Sequence, residues 1–118
     1  MKRGAFEMQI GEMAQTCGWK LLAGEKGTGN EVDGCYVGDL LSWVMARAQA
    51  GNVWLTVMGN VNAVAVATLT EVSAIVLTES AALDAEAAVK AEQQGIPVYT
   101  CAENTYETAV QVYEKLGQ

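Results

Sequence analysis

An α/β domain, built as a three-layer α/β/α sandwich around a mostly parallel sheet of about five strands, is what this sequence predicts. Three observations carry that expectation. Short, apolar, mostly β-branched runs begin near residues 53, 74 and 97. One stretch of helical periodicity separates each run from the next, and parallel strands need a crossover of that kind. The composition is 51% hydrophobic and 18% charged, with one proline in 118 residues, which suits one core and a single domain, 1–118.

The elements follow in order. Ile10, Met13, Ala14 and Cys17 fall at i, i+3, i+4 and i+7, one face of a helix that Gly18 stops. Residues 19–23 read as a strand. The turn-rich, charged run 24–34 reads as the one true loop, a mobile surface turn. Residues 35–37 make a short strand, and Gly38-Asp39 a turn with Asp39 placed to cap a helix. That helix carries the stripe Leu40, Leu41, Val44, Met45 and Ala48 and ends at Gly51. Residues 53–57 are a buried strand, and Val61, Val64, Ala65 and Thr68 then share a helical face. Residues 74–77 are the next strand. Asp84 caps a helix that stops at Gly95, with Pro97 just beyond. Residues 98–100 are the last strand. Asn104 and Glu107 have the spacing of a capping box, and Tyr106, Ala109, Val110 and Tyr113 follow at helical intervals.

Charge and residue usage exclude several functions. Fourteen acidic against seven basic residues give a net charge of −7, with eight acids against two bases in residues 51–118. Such a surface repels phosphate backbones, so no nucleic-acid partner is expected. The chain has no histidine, the commonest general base and metal ligand. Cys17, Cys35 and Cys101 form no CxxC pair, and a zinc site would lack its fourth good ligand, so no metal is expected. The three read as small buried hydrophobes in a reducing cytoplasm. Met1-Lys2-Arg3 leads into residues 4–7 rather than an apolar core, which is no signal peptide. The most apolar stretch, 53–69, is broken by Thr56, Gly59, Asn60 and Asn62 and is no membrane span. A cytoplasmic protein without membrane contact is expected.

Gly24 and Gly29 have the spacing of the two glycines of a P-loop, but Asn30-Glu31 stands where Lys-Ser/Thr is needed. The run also leads into a strand rather than a helix N-terminus, so it is no ATP site. A better candidate comes from topology, because ligands of parallel sheets bind outside the carboxyl ends of the strands. Gly38, Asp39, Gly59, Asn60, Thr78, Glu79 and Ser80 fall there, beside Met58, Thr100, Asn104 and Thr105. They could supply donors to a small polar ligand, or could simply cap helices and make turns. Ser42, Ser73 and Ser80 have no histidine to activate them, and no GxSxG elbow occurs. The carboxylate pairs Glu103/Glu107 and Asp84/Glu86 read as solvated helix charge. Trp19, Trp43 and Trp54 read as core or interface anchors. No catalytic residue and no cofactor is expected.

From about Leu22 to Leu116 the order of features resembles a DRTGG domain, a family similar to the N-terminal domain of HPr kinase/phosphorylase. The resemblance rests on Leu-Ala-Gly-Glu (22–25), Val-Gly-Asp-Leu (37–40) and the apolar strand ending in Thr56. It continues through Ala-Ile-Val-Leu-Thr (74–78), Gly-Ile-Pro-Val (95–98) and Asn-Thr-Tyr-Glu-Thr (104–108). Where the family tends to show Asp-Arg after the strand, this chain has Asn60-Val61. Where it shows Thr-Gly-Gly, this chain has Thr78-Glu79-Ser80, which adds side chains and a negative charge where a backbone could have approached an anion. HPr kinases carry their catalytic P-loop in a separate C-terminal domain, which is not expected in this chain.

The resemblance implies a stand-alone, non-catalytic regulatory module that binds a protein partner or small metabolite. The alternative is a nucleotide or anion sensor at the strand ends. A small enzyme using Asp39 or Glu79 as base is the third possibility. Assembly is expected as well: the helix after Asn60 (Val61, Ala63, Val64, Ala65, Val66, Ala67, Leu69) is apolar almost all round, and a homodimer or higher homo-oligomer would cover what the sheet does not.

Overall fold

Both faces of the central strands are apolar, and this sets the layering. In the computed structural model, which describes residues 8–117, the chain runs β1 (Met8–Gln9), α1 (Ile10–Cys17), β2 (Lys20–Ala23), a 3-10 turn (Glu25–Gly27), β3 (Glu31–Val32) and β4 (Gly34–Val37). It continues through α2 (Leu41–Arg47), β5 (Asn52–Thr56), α3 (Val61–Thr70), β6 (Ala74–Leu77), α4 (Ala85–Gln94), β7 (Val98–Thr100) and α5 (Thr105–Lys115). Met1-Lys2-Arg3, read above for a leader, lies outside the described residues.

Val53, Leu55, Ala74, Val76 and Tyr99 form one face of the sheet and pack with Ile10, Met13 and Ala14 of α1 and Val112 and Leu116 at α5. Trp54, Ile75, Leu77 and Val98 form the other and pack with Val44 of α2, Ala63, Val64 and Ala67 of α3, and Ala87 and Ala91 of α4. Strands buried on both faces need helices on both sides, hence three layers. The five-stranded sheet has the order β2-β7-β6-β5-β4, parallel except for the antiparallel pair β2–β7. A separate two-stranded ladder joins β1 to β3.

Residues 24–33 are not a mobile turn. Because β2 runs against the other strands, it delivers the chain to their amino-terminal ends, and the segment then crosses beneath them to reach β4. Gly24 N–H donates to Glu92 Oε1 at 2.7 Å, Asn30 Nδ2 to the Ser73 carbonyl at 3.1 Å, and Asp33 N–H to the Gly51 carbonyl at 3.0 Å. A Cβ on Gly24 would lie 1.9 Å from the Ile96 carbonyl oxygen, and one on Gly27 2.3 Å from that of Gly95. These glycines exist for close packing of two backbones.

Three helices bury less than their stripes predict. In α2 only Val44 is fully covered, while Leu40 and Met45 are exposed. Trp43 is also exposed, with the Arg47 guanidinium stacked 4.0 Å above its ring. In α5 the inward residues are Thr108 and Val112, with Ala109 half-buried; Tyr106, Val110 and Tyr113 face outward. In α3 the flanks are covered by α2 and α4, so its apolar girth is met largely within one chain, leaving Ala65 and Leu69 exposed. Of the cysteines, Cys101 is buried, Cys17 half-buried and Cys35 exposed, so the expectation of three buried thiols fails at Cys35.

Candidate functional site

Strands β4 to β7 all end on one side of the sheet, and this brings Gly38, Asp39, Gly59, Asn60, Thr78, Glu79 and Ser80 to one end of the molecule. The glycine-rich segment lies at the opposite end. The seven residues sort into two hydrogen-bonded groups.

The first is built on Asp39, which is not a helix cap. Helix α2 starts from Leu40, extended and without a side-chain cap. Asp39 Oδ1 instead accepts from Thr56 Oγ1 at 2.7 Å and from Val57 N–H at 3.0 Å, and Thr56 Oγ1 accepts from Met58 N–H at 3.2 Å. Thr56 is buried, so the carboxylate fastens the exit of β4 to the exit of β5 through a group that must be satisfied. Gly38 adds a carbonyl that accepts from Trp54 Nε1 at 2.9 Å. Gly59 allows a close approach, since a Cβ there would lie 1.9 Å from the Ala82 carbonyl oxygen. Its own carbonyl accepts from Asp84 N–H at 2.8 Å, and the Asp84 side chain makes no cap bond to α4. Asn60 Oδ1 accepts from Ala63 N–H at 2.9 Å and caps α3.

The second group surrounds Thr78, whose Oγ1 lies 2.7 Å from Thr105 Oγ1 and joins β6 to the start of α5. Glu79 and Ser80 follow with φ of 57° and 56°, left-handed backbone that side chains disfavour. Their N–H groups donate to the carbonyls of Glu103 at 2.8 Å and Cys101 at 2.9 Å, which holds the turn. Asn104 Oδ1 accepts from Glu107 N–H at 2.8 Å, as the capping box predicts. Cys101 Sγ lies 3.5 Å from Thr108 Oγ1, and burial pushes its thiol, like that of Cys17, above the ordinary range. Neither is set up as a thiolate nucleophile.

The amides of Val57, Met58, Ala63, Glu79, Ser80 and Glu107 are thus all engaged inside the fold. The exposed groups at this end include the carboxylates of Asp39, Glu79 and Glu103. Such a surface suits a ligand that donates hydrogen bonds and opposes a bare anion. No group of three or more metal-ligating side chains is assembled among the described residues. Sequence reasoning missed Thr56 and Glu103 as partners. The signal for the first was a threonine closing an otherwise apolar strand.

A parallel-sheet domain with a threonine-anchored turn after β6 and a capped helix after β7 defines a class, and comparison of the sequence gives it a family. Residues 12–114 match the DRTGG domain, and the chain belongs to that family. Glu79 and Ser80, two consecutive left-handed residues, lie within the matched region. Among solved structures the chain is similar to the CBS and DRTGG domains of the regulatory region of Clostridium perfringens pyrophosphatase, crystallised with the activator diadenosine tetraphosphate. The TM-score is 0.70 at 12% identity, covering 92% of this chain and 46% of that one, so the likeness is one of fold. The chain spans less than half the length of that protein chain. No curated protein matches it.

Proposed function

We propose that this domain is a non-catalytic regulatory module that acts by binding a protein partner or a small metabolite. Membership of the DRTGG family over residues 12–114 carries the reading. The chemistry of the strand ends supports it: their polar groups knit β4 to β5 and β6 to α5 instead of pairing a nucleophile with a base. Incubation with ATP should release no phosphate, and turnover that survives purification and is abolished by Asp39→Ala in a folded protein would replace this reading with an enzymatic one.

A second reading, a nucleotide sensor at Gly38, Asp39, Gly59, Asn60, Thr78, Glu79 and Ser80, draws on one observation, the nucleotide activator in the structurally similar regulatory region. Carboxylates at this end favour ribose hydroxyls and base amines as the groups recognised. A thermal-shift series with diadenosine tetraphosphate, ATP, AMP and phosphate decides between the two. Ligand at a hundred times its dissociation constant adds about 2.7 kcal/mol, a readable shift. A saturable shift assigns the sensor, and none with any of the four leaves the protein-binding module.

The module is further proposed to work in the cytoplasm as a homodimer through the outer face of α3, where Leu69 is 71% exposed beside Ala65. No described helix is long and apolar enough to cross a membrane.

A further inference from the structure

We propose that two copies of this chain meet about a two-fold axis beside Ala65, with Leu69 of each seated in the groove between α3 and α4 of the other. The inference rests on the homodimer reading above and gives that dimer its geometry. It starts from the pattern that α3 leaves in solvent. Helix α3 is flanked by α2 on one side and α4 on the other. Of its residues, Asn62, Ala65 and Leu69 are exposed, and Val61, Thr68 and Thr70 are half-buried. Val61, Ala65 and Leu69 are spaced by four, so they form one ridge along the helix, small at its middle and larger at its ends. Leu69 is 71% exposed, on a helix with no charged residue. It is a knob with little to bury it on its own chain.

The matching hole lies on the same surface. A groove of about 350 Å³ between α3 and α4 is lined by Val61, Glu86, Val89, Lys90 and Gln93. Val89 is 59% exposed and Val61 half-buried, so the groove is an apolar slot with a polar rim. Leu69 cannot fill it within one chain, because Val61 and Leu69 stand eight residues, about 12 Å, apart on a rigid helix. A second copy brings knob and hole together. The two-fold that carries Leu69 onto the partner's groove passes midway between them, beside Ala65. There the two α3 helices cross, and alanine is the residue of the ridge that lets their backbones approach. Each chain then supplies one knob and one hole, as an isologous contact demands.

Charge fits the same occupant. Leu69 lies in the last turn of α3, which ends at Glu71 with no basic residue to offset its carbonyls. The element that enters the groove is therefore negative. Lys90 and Gln93 offer it donors from the groove's rim, while Glu86 stands one turn earlier on α4.

The test uses single cysteines in the full chain, with the exposed Cys35 replaced by serine. Ala65→Cys, mildly oxidised, should link to itself between two chains. Leu69→Cys and Val89→Cys should each stay largely unlinked alone, and should form a mixed two-chain product when the variants are combined and allowed to exchange. Without added cysteines, Leu69→Ala should raise the dimer dissociation constant about tenfold or more and leave the unfolding of the dilute, single chain unchanged. A dimer that gives no mixed product, that links Leu69→Cys to itself, or whose affinity is unmoved by Leu69→Ala overturns this arrangement and leaves the homodimer standing. A single chain at every concentration overturns both.

Discussion

Asp39 shows how a residue can be placed correctly and assigned the wrong role. An aspartate before Leu40-Leu41 has the local signature of a cap, but two donors at the end of β5, invisible to local sequence, take its carboxylate. Asp39→Ala should lower stability by about 1–2 kcal/mol in urea unfolding, because Thr56 and Val57 both lose a charged acceptor. Asp39→Asn, which keeps an acceptor oxygen, should lose less than half of that. Equal losses in the two variants would mean that the acceptor is not what matters. Glu79 and Ser80 make the opposite point. Their left-handed backbone, at φ of 57° and 56°, was not legible in the sequence, since nothing in Glu-Ser demands it. Glu79→Gly and Ser80→Gly should each raise the unfolding free energy by about 1 kcal/mol in urea unfolding, as the side-chain penalty is removed. Thiol chemistry belongs to this scale too. Burial raises the Cys101 pKa above its ordinary 9.0, so the thiol form is the one the fold accommodates. Its contribution is fully present below pH 9.0 and is lost as pH rises through the folded-state value. Ellman's reagent should therefore leave Cys101 unreacted at pH 8 until the protein unfolds.

At the scale of elements, what was legible was periodicity, and what was not was long-range closure. Strand β6 and helix α1 have the bounds that their apolar patterns give, and Asn104 caps α5 as its spacing requires. The segment 24–33 misled because its glycines look like freedom when read locally. They are instead sites of contact with Gly95, Ile96 and Pro97, whose position depends on where β2 and α4 end up. Gly24→Ala and Gly27→Ala should each destabilise by more than about 2 kcal/mol, since the new carbon meets backbone carbonyls. Gly29→Ala should be nearly neutral, with nothing within 4 Å of the added carbon. Loss of stability at Gly29 equal to that at Gly24 would show that the segment is constrained differently. The stripes of α2 and α5 were over-read for a related reason. Helical spacing finds a face, but only the packing partner decides how wide that face must be, and here Val44 and Val112 alone are fully covered within those two helices among the hydrophobic residues.

At the scale of the molecule, the two apolar faces of β5 and β6 made the layers legible, because helices on both sides of the sheet bury Val53, Trp54, Leu55, Ile75, Val76 and Leu77 together. The outer surface is less determined. With α2 and α4 flanking α3, the exposed apolar area there is reduced to Ala65, Leu69 and their neighbours, and Val89 of α4 stands nearby on the same layer. If this is the homodimer face, light scattering at micromolar concentration should report a mass of two chains, and Ala65→Glu should shift it to one. A monomer over the whole concentration range would remove the interface.

The pairing of β2 with β7 has one more consequence, in the order of assembly. Lys20–Ala23 is among the first strands to be synthesised and Val98–Thr100 the last, yet each is the other's neighbour. A nascent chain cannot seat β2 until nearly every other element has emerged, and the strap beneath the sheet has nothing to lie on before Gly95 to Pro97 exist. Closure of so distant a contact is intrinsically slow. The last strand acts as a latch: β2 and the segment 24–33 find their partners only once Val98–Thr100 and Gly95 to Pro97 are in place.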